Sequence, residues 1–281
     1  MRSILDQEDV DLEYIIVDDA STDGSSEMLQ QITDPRLRVI RNERNIGFVK
    51  SANKAVQAGS GRYVAVHGAG DISLPQRLRK QFEFLEENDN AVVVGVGVEN
   101  QNLVSGRRYM LKSDQGLKDG LRYSYSHGEV MFRRDTFNKV GGYRELFYFT
   151  QDKDLWHRLS EFGELGLISE PLYFRQVYED GVAHDHVKLV QQAVFSNLMM
   201  HSATERSKGR PDPVERYNSL ALLTQPRTAR FKTFIRRRMR KLLTRGELRK
   251  ARETLEAVPV RMLSAGELSL LIVLRAILAR R

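Results

Sequence analysis

Apolar runs and amphipathic segments alternate along the first hundred residues of the chain. Runs that have the length and β-branched content of strands are EYIIVDD (13–19), LRVIRN (37–42), RYVAVHG (62–68) and AVVVGVGVEN (91–100). Segments between them that carry apolar residues at helical spacing are EMLQQI (27–32), GFVKSANKAVQAG (47–59) and LPQRLRKQFEFLEEN (74–88). This alternation predicts an α/β fold with a mainly parallel sheet and helices on both faces.

The pattern changes farther along the chain. It weakens over 101–128, resumes with further helix and strand segments over 129–176, and is helical from about residue 187. We therefore predict a first domain over 1–180 and a separate helical region over 187–281.

The chain begins differently from a typical parallel α/β domain. The segment MRSILDQ (1–7) has the pattern of the end of a helix, where such a domain normally starts with an apolar strand. The sequence therefore predicts that the sheet lacks its first strand. Either the start codon has been placed too far downstream, which would make the chain N-terminally truncated, or the sheet is completed in another way.

Composition narrows the class of protein. Hydrophobic residues make up 41% of the 281 residues, which is enough for a packed core. The absence of cysteine excludes a disulfide framework and thiolate metal sites and fits a reducing cytosol. No signal peptide is evident, and the longest apolar run, LSLLIVL (268–274), is too short to cross a bilayer. These features predict a cytoplasmic protein.

Charge is distributed unevenly along the chain. Residues 227–281 hold 16 Lys and Arg against four Glu, a net charge of +12, so the preceding residues carry −5 of the total +7. Such an asymmetry favours an anionic partner. The segment RFKTFIRRRMRKLLTRGELRKARETL (230–255) places an apolar stripe beside clustered arginines.

Three interpretations fit this basic tail. Its apolar stripe could lie on an anionic membrane surface, which would make the protein peripheral on the cytoplasmic face. Alternatively, the tail could be a helical subdomain whose stripe packs on the body while the arginines stay in water. Nucleic-acid binding is the weakest interpretation, because no recognised binding motif supports it.

Two carboxylates follow the first predicted strand. Asp18 and Asp19 stand at the carboxyl end of an apolar run and precede the turn-forming segment ASTDGSS (20–26). Carboxylates at this edge of a sheet can accept hydrogen bonds from a ribose hydroxyl or a base N–H. The alternative is that one of them caps the following turn or helix.

Five segments in order carry a resemblance to a known family. They are EYIIVDDASTDGS (13–25), RNERNIGFVKSANKA (41–55), GRYVAVHGAGDISLPQRL (61–78), HGEVMFRRDTFNKVGGYRE (127–145) and QDKDLWHRLSEFGELGLISEPLYFR (151–175). Over about residues 3–178 the chain resembles the family 2 glycosyltransferases of the GT-A fold. The resemblance implies a GT-A domain with a nucleotide-binding half (1–100) and an acceptor half (101–180), followed by the helical extension.

The same resemblance implies an activity. Its donor would be a nucleotide-diphosphate-sugar, such as a UDP-sugar. The sugar would be transferred with inversion to a hydroxyl of a cell-surface or lipid-linked glycan.

Roles for individual residues follow from the same resemblance. Asp152 would be the general base that takes the proton of the acceptor hydroxyl, and Gln151 replaces the acid that usually precedes it. Residues implied in nucleotide or donor binding are Asp18, Asp19, Ser21, Asn45, Gly47, Asn53 and Asp71. Residues implied in the acceptor loop are Gly141, Gly142 and Tyr143. Asp152 also fits a helix N-cap, and Asn45 with Gly47 also fits a plain turn before a helix.

The chain departs from the family at the metal-binding motif. Family members commonly carry Asp-x-Asp acids that bind Mg²⁺ or Mn²⁺ against the diphosphate, whereas Gly68 and Gly70 stand at those positions here. Backbone amides of the glycine loop and nearby cations could stabilise the leaving group without a metal. Alternatively, Asp71, His67 or the later pair His184 and His186 could form a different metal site. The third alternative is a catalytically impaired relative that binds a nucleotide-sugar or a partner without turnover.

Overall fold

The chain divides into two compact units, Met1–Tyr178 and Glu179–Arg281. The computed structural model describes residues 1–111, 125–177 and 185–279. Strands of the first unit are β1 (Tyr14–Asp18), β2 (Leu37–Arg41), β3 (Tyr63–Ala65), β4 (Ile72–Ser73), β5 (Ala91–Asn102), β6 (Arg108–Leu111), β7 (Val130–Arg133) and β8 (Glu164–Val177). Its helices are α1 (Arg2–Leu5), α2 (Ser25–Gln30), α3 (Phe48–Ala58), α4 (Arg77–Glu87), α5 (Arg134–Lys139) and α6 (Gln151–Leu159).

The described strands form two sheets. β1 and β2 pair in parallel, with Tyr14 opposite Leu37 and Asp18 opposite Arg41. The larger sheet has the order β3-β7-β5-β8-β4, with β6 also paired to β5. In it β5 and β8 run parallel, whereas β3–β7, β5–β7, β4–β8 and β5–β6 are antiparallel.

The predicted α/β class is confirmed, but the sheet is mixed rather than mainly parallel. An apolar run reveals that a strand is buried but does not encode its direction. Direction depends on how the connections fold, and β6 returns beside β5 as a hairpin.

β5 forms the centre of the first unit. Its Val93, Val94 and Val96 are fully buried, because helices and neighbouring strands cover it on both faces. The main cluster around it includes Trp156 of α6 and Phe132 of β7. Burial of these large side chains is the principal stabilising contribution to the unit. This core fixes the strand ends and loops that carry the candidate site.

The segment MRSILDQ, predicted to be helical, contains the short helix α1. The chain after it is anchored through Gln7. Its side chain donates to the Leu74 carbonyl at 2.9 Å and accepts from the Leu78 amide at 3.1 Å. The residues before β1 are thus attached to the start of α4.

The second unit is helical, as expected for this part of the chain. Its α-helices are α7 (His186–Ser207), α8 (Pro213–Tyr217), α9 (Ala221–Thr224), α10 (Ala229–Thr244), α11 (Leu248–Glu256) and α12 (Ala265–Ala279). Phe231, Ile235, Met239 and Leu242 of α10 are buried in the core of this unit. The apolar stripe seen in the sequence is therefore covered by protein, while Arg236, Arg237 and Arg240 remain exposed. Among the described residues, no helix combines the length and apolarity of a membrane span.

Candidate active site

Asp18 ends β1 and is almost completely buried, with 3% of its surface exposed. Its Oδ1 accepts a hydrogen bond from the Ser21 amide at 2.9 Å, and its Oδ2 accepts one from the Ser26 hydroxyl at 2.7 Å. Hydrogen bonds from these two serines hold the pKa of Asp18 below its usual range. Asp18 therefore organises the turn into α2, as in the capping alternative, and its contact with a nucleoside stays a prediction. Ser21 belongs to the same turn.

Asp19 connects β1 to the loop before α3. It accepts hydrogen bonds from the amides of Ile46 (2.9 Å) and Gly47 (2.8 Å), and from the Asn42 side chain (2.8 Å). Burial acts to raise the pKa of Asp19, but these hydrogen bonds outweigh it and the pKa is lowered. The result is an ionised carboxylate bound to the loop that contains Asn45.

The loop itself is a turn before a helix. Gly47 is the N-cap of α3 with φ of 89°, a conformation that favours glycine. The exposed Asn45 accepts from the Gly47 amide at 3.1 Å. The turn interpretation of these two residues is thus supported. Whether they also touch a nucleotide stays a prediction.

Residues 67–71 form the loop where the family's metal ligands would stand. The Asp71 Oδ2 accepts from the Tyr173 hydroxyl at 2.7 Å, and Oδ1 accepts from the Gln176 amide at 3.2 Å. The same Tyr173 oxygen accepts from the Gly68 amide at 2.9 Å. Burial raises the pKa of Asp71 more than these hydrogen bonds and nearby arginines lower it. Asp71 is thus folded back onto β8.

This arrangement does not fit a resident divalent cation. Mg²⁺ and Mn²⁺ need several oxygen ligands, but Gly68 and Gly70 supply no side-chain oxygen, and both Asp71 oxygens accept hydrogen bonds from the protein. Across residues 1–111, 125–177 and 185–279, no group of three or more His, Asp or Glu side chains could hold a metal. His184 lies outside the described residues. His186 lies in the second unit, where its Nε2 is 2.7 Å from Glu253.

Arg77 fixes the glycine loop to the neighbouring 126–130 segment. Its fully buried guanidinium donates to the carbonyls of Val66 (2.7 Å) and Gly128 (2.9 Å), and to the Ser73 hydroxyl (2.7 Å). Burial lowers the pKa of Arg77 to about 10, so the group remains charged at neutral pH. It is a structural cation, because its donors are used inside the protein.

The predicted acceptor loop is held by α3. Gly141 and Gly142 adopt φ of 76° and 71°, and the buried Tyr143 follows them. The Asn53 side chain donates to the Tyr143 carbonyl at 2.8 Å and accepts from the Tyr143 amide at 2.9 Å. These atoms of Asn53 therefore position the acceptor loop, and its predicted contact with the nucleotide stays a prediction.

Asp152 lies in the first turn of α6. The helix begins at Gln151 and its N-cap is Thr150, so Asp152 is not the N-cap residue. Its Oδ1 accepts from the Lys153 amide at 2.8 Å. Asp152 acts electrostatically on two neighbours: its charge favours the protonated forms of His127 and Tyr143. It therefore lies close to both.

His127 and Tyr143 form a pair beside Asp152 that the sequence alone did not single out. The His127 Nε2 is 2.6 Å from the Tyr143 hydroxyl. The imidazole stacks on Trp156 and meets the edge of Phe48 at the start of α3, with centroid separations of 6.2 and 5.3 Å. Burial lowers the pKa of His127 despite the opposing charge of Asp152. The pair is therefore an uncharged hydrogen-bonded unit at neutral pH.

Contacts connect residues that the sequence assigned to the nucleotide-binding half with residues that it assigned to the acceptor half. Asp19 holds the start of α3, and Phe48 in the first turn of that helix touches His127. A Cβ atom on Gly128, the next residue, would collide with the Tyr173 hydroxyl that binds Asp71. Residues 127–128 therefore contact Phe48 of α3 and Tyr173, which binds Asp71, and the charge of Asp152 acts on His127.

Comparisons with known proteins identify the family of this chain. Residues 1–157 match the family model for Glycosyl transferase family 2. The chain belongs to this family. Putative glycosyltransferase EpsE of Bacillus subtilis is 31% identical over 216 residues, which cover 74% of this chain and 77% of EpsE. Putative teichuronic acid biosynthesis glycosyltransferase TuaG of the same organism is 42% identical over 93 residues, which cover 32% of this chain and 37% of TuaG.

Solved structures support the fold of this family 2 glycosyltransferase. S. aureus TarS in complex with UDP-GlcNAc matches with a TM-score of 0.55 and 15% identity, covering 93% of this chain and 77% of that one. Mannosyltransferase PcManGT from Pyrobaculum calidifontis, in complex with GDP-Man and Mn²⁺, matches with a TM-score of 0.55 and 17% identity. That match covers 100% of this chain and 75% of PcManGT. The predicted GT-A fold is confirmed.

Proposed function

We propose that this glycosyltransferase is an inverting hexosyltransferase with Asp152 as its general base. The acceptor oxygen attacks the anomeric carbon of a nucleotide-diphosphate-sugar and forms the new C–O bond. The bond between that carbon and the diphosphate oxygen breaks, and the nucleoside diphosphate leaves with the electron pair. The Asp152 carboxylate takes the proton of the attacking hydroxyl. Attack on the face opposite the leaving group inverts the anomeric configuration.

The surroundings of Asp152 are the observation that carries this proposal. The carboxylate uses Oδ1 for the Lys153 amide, and among the described residues no donor binds Oδ2. Its charge acts on the His127–Tyr143 pair, and Asn53 fixes the predicted acceptor loop, which contains Tyr143, to α3. A proton acceptor is thus held next to the loop expected to bind the acceptor sugar.

Donor, acceptor and location extend the same proposal. Two proteins of the same fold were crystallised with UDP-GlcNAc and with GDP-Man, which supports a nucleotide-diphosphate-sugar donor. The name of TuaG refers to teichuronic acid biosynthesis, which supports a cell-surface or lipid-linked glycan acceptor. We place the reaction in the cytoplasm, at the membrane face where a lipid-linked acceptor would be available.

A second candidate function is binding without turnover. Gly68 and Gly70 stand where metal ligands are usual, and Gln151 replaces the first acid before Asp152. A protein with these losses could bind a nucleotide-sugar and release it unchanged. The two candidates differ in whether Asp152 affects product formation.

The test is a transfer assay on D152N. Purified protein is incubated with a panel of UDP- and GDP-sugars and lipid-linked glycan acceptors, and nucleoside diphosphate release and NMR of the product anomer are recorded. We expect D152N to lower the transfer rate by about 10²- to 10⁴-fold, because it removes the proton acceptor. Donor affinity is expected to stay within about twofold, since the uncharged isostere leaves the donor side of the site intact.

D135N is the matched control. Asp135 is also the second residue of a helix, and its Oδ1 also accepts from the next amide, Thr136, at 2.6 Å. Transfer by D135N should equal that of the unmodified protein. Equal rates in D152N and D135N would contradict the base assignment, and donor binding without any transfer would favour the second candidate.

A further inference from the structure

We infer that the donor diphosphate binds Arg175 of β8 at a site that requires no divalent cation. The inference rests on the proposed function and concerns the same site. It starts from the pairing of β4 with β8, where Ile72 lies opposite Phe174 and Ser73 opposite Tyr173. Extending this antiparallel register places Arg175 opposite Asp71. Tyr173 and Arg175, two residues apart on one strand, lie on the same face of β8.

Asp71 is already bound within the protein on that face. Its oxygens accept from the Tyr173 hydroxyl and the Gln176 amide. A Cβ atom on Gly68 would collide with the Asp71 carboxylate, so a side chain at position 68 would require the carboxylate to move. The glycine at 68 therefore does more than omit a metal ligand. It makes the space in which Asp71 is held away from a cation.

The Arg175 guanidinium lies on the same strand face as the bound Asp71 carboxylate. Its Nε donates to Asn100 Oδ1 at 2.7 Å, which fixes the plane of the group. Its terminal nitrogens have no hydrogen-bond or ion-pair partner among the described residues. The adjacent Asn100 is fully buried, and its Nδ2 also has no partner among the described residues. Several N–H donors are thus available at the end of one strand pair.

The chemistry of these donors suits a diphosphate. A guanidinium whose orientation is fixed through Nε still offers two terminal nitrogens, which match two phosphate oxygens in a fork. Asp71 and Glu129, the carboxyl groups on which the charge of Arg175 acts, both have raised pKa values because burial outweighs that charge. Both carboxyl groups accept hydrogen bonds inside the protein, Asp71 from Tyr173 and Gln176 and Glu129 from Ser126, and neither forms an ion pair with Arg175 among the described residues.

Calorimetric titration tests the inference. The probe is whichever of UDP, GDP, CDP, ADP and dTDP binds most tightly, compared with its own nucleoside. We expect the diphosphate affinity to change less than about twofold between EDTA and Mn²⁺. We expect R175Q to weaken it about 10- to 100-fold, the range for a charge-assisted fork, while nucleoside affinity stays within about twofold.

R108Q is the control for charge alone. Arg108 is a cation near the same strand, but it covers the ring of Phe174, whose side chain points to the opposite face of β8 from Arg175. R108Q should leave the affinities for the diphosphate and for the nucleoside unchanged. R175K keeps the positive charge but not the two-pronged guanidinium, so its diphosphate affinity should lie between those of R175Q and the unmodified protein. If circular dichroism shows that R175Q is unfolded, R175K replaces it in the test.

The possible outcomes separate this inference from the proposed function. Loss of diphosphate binding in EDTA would overturn the metal-free site, and equal affinities in R175Q and R108Q would overturn the role of Arg175. Failure of all five diphosphates to bind would contradict the proposed function itself.

Discussion

Asp19 and Asp71 are two carboxylates of the candidate site, and their surroundings shift their pKa values in opposite directions. Asp19 accepts three hydrogen bonds, two of them from backbone amides, and its pKa is lowered. Asp71 accepts one from a backbone amide and one from the Tyr173 hydroxyl, and burial raises its pKa. The residue type is the same, so the difference comes from what surrounds each carboxylate.

Fixed backbone dipoles explain the contrast. The loop before α3 wraps its amides around Asp19, which stabilises the charged form. In the loop at 67–71, Asp71 is instead partly buried beside Tyr173, and desolvation is the largest influence on its pKa. The first environment maintains a permanent negative charge near the expected nucleoside. In the second environment both Asp71 oxygens accept hydrogen bonds from β8, so the carboxylate is bound within the protein beside the place where we propose that Arg175 binds the diphosphate.

The largest expected difference is between D19N and D71N. In D19N an NH₂ group replaces an oxygen that accepts from a backbone amide, so buried donors lose their partner. We expect a loss of about 3 kcal/mol in the free energy of unfolding. In D71N the remaining oxygen still accepts from Tyr173 or Gln176, and a group with a raised pKa loses less when its charge is removed. We expect a loss below about 1 kcal/mol there. Urea unfolding at pH 7 measures both.

Equal losses in the two variants would show that the opposite pKa directions have no energetic consequence. D23N is a suitable control, because Asp23 is an exposed loop carboxylate that accepts local hydrogen bonds from Ser25, two residues along the chain. Its unfolding free energy should stay within about 0.5 kcal/mol of the unmodified protein.

The sequence marked Asp19 and the loop before α3 as candidate site residues, but it did not predict that they bind each other. An apolar run that ends in Asp-Asp, followed by a turn and an Asn-x-Gly before a helix, contains both the acceptor and the loop that binds it. Asp152 was singled out through the resemblance to family 2 glycosyltransferases, and its role as the base stays a prediction. The contacts of Asp19 with Ile46 and Gly47 join residues 27 and 28 positions apart, so they depend on how the loop before α3 folds against β1.

The Asp71 side could not be predicted in the same way. Tyr173 is 102 residues from Asp71, and their contact depends on the register between β4 and β8. The His127–Tyr143 pair likewise depends on how a strand end meets a Gly-Gly turn. Strand direction was missed for the same reason, since pairing is a property of the assembled sheet and not of one apolar run.

Titration of His67, in the same loop as Asp71, is expected to have an intermediate effect on the free energy of unfolding. Burial lowers its pKa to about 4, against about 6.5 in an unfolded chain. Between these pH values the unfolded chain binds more protons, so the free energy of unfolding falls as the solution is acidified from pH 7. At pH 5 this loss amounts to about 2 kcal/mol.

The variant H67N isolates the contribution of His67. It keeps a polar group near Ser73, whose hydroxyl is 3.2 Å from the His67 Nδ1, but it cannot titrate. Urea unfolding at pH 7 and pH 5 should show a smaller acid-induced loss in H67N than in the unmodified protein. The same loss in both proteins would mean that burial of the 67–71 loop does not control its titration.

The smallest expected effect concerns the space that Gly68 leaves for Asp71. The backbone of Gly68 is not in the left-handed region, so G68A introduces no backbone strain. The new Cβ would, however, collide with the Asp71 carboxylate. We expect a loss of about 1 kcal/mol in unfolding free energy, because the carboxylate must move away from Tyr173. In a D71A background the same substitution should cost nearly nothing, since the colliding group is gone.

G266A is the control for adding a methyl group, because a Cβ atom on Gly266 would meet no atom within 4 Å. It should be neutral or slightly stabilising, as expected for alanine in a helix. Equal costs of G68A with and without Asp71 would show that the glycine is not needed for the Asp71–Tyr173 contact. The absence of a side chain at 68 would then be only the loss of a metal ligand, and the loop would have no means of its own to keep Asp71 away from the diphosphate.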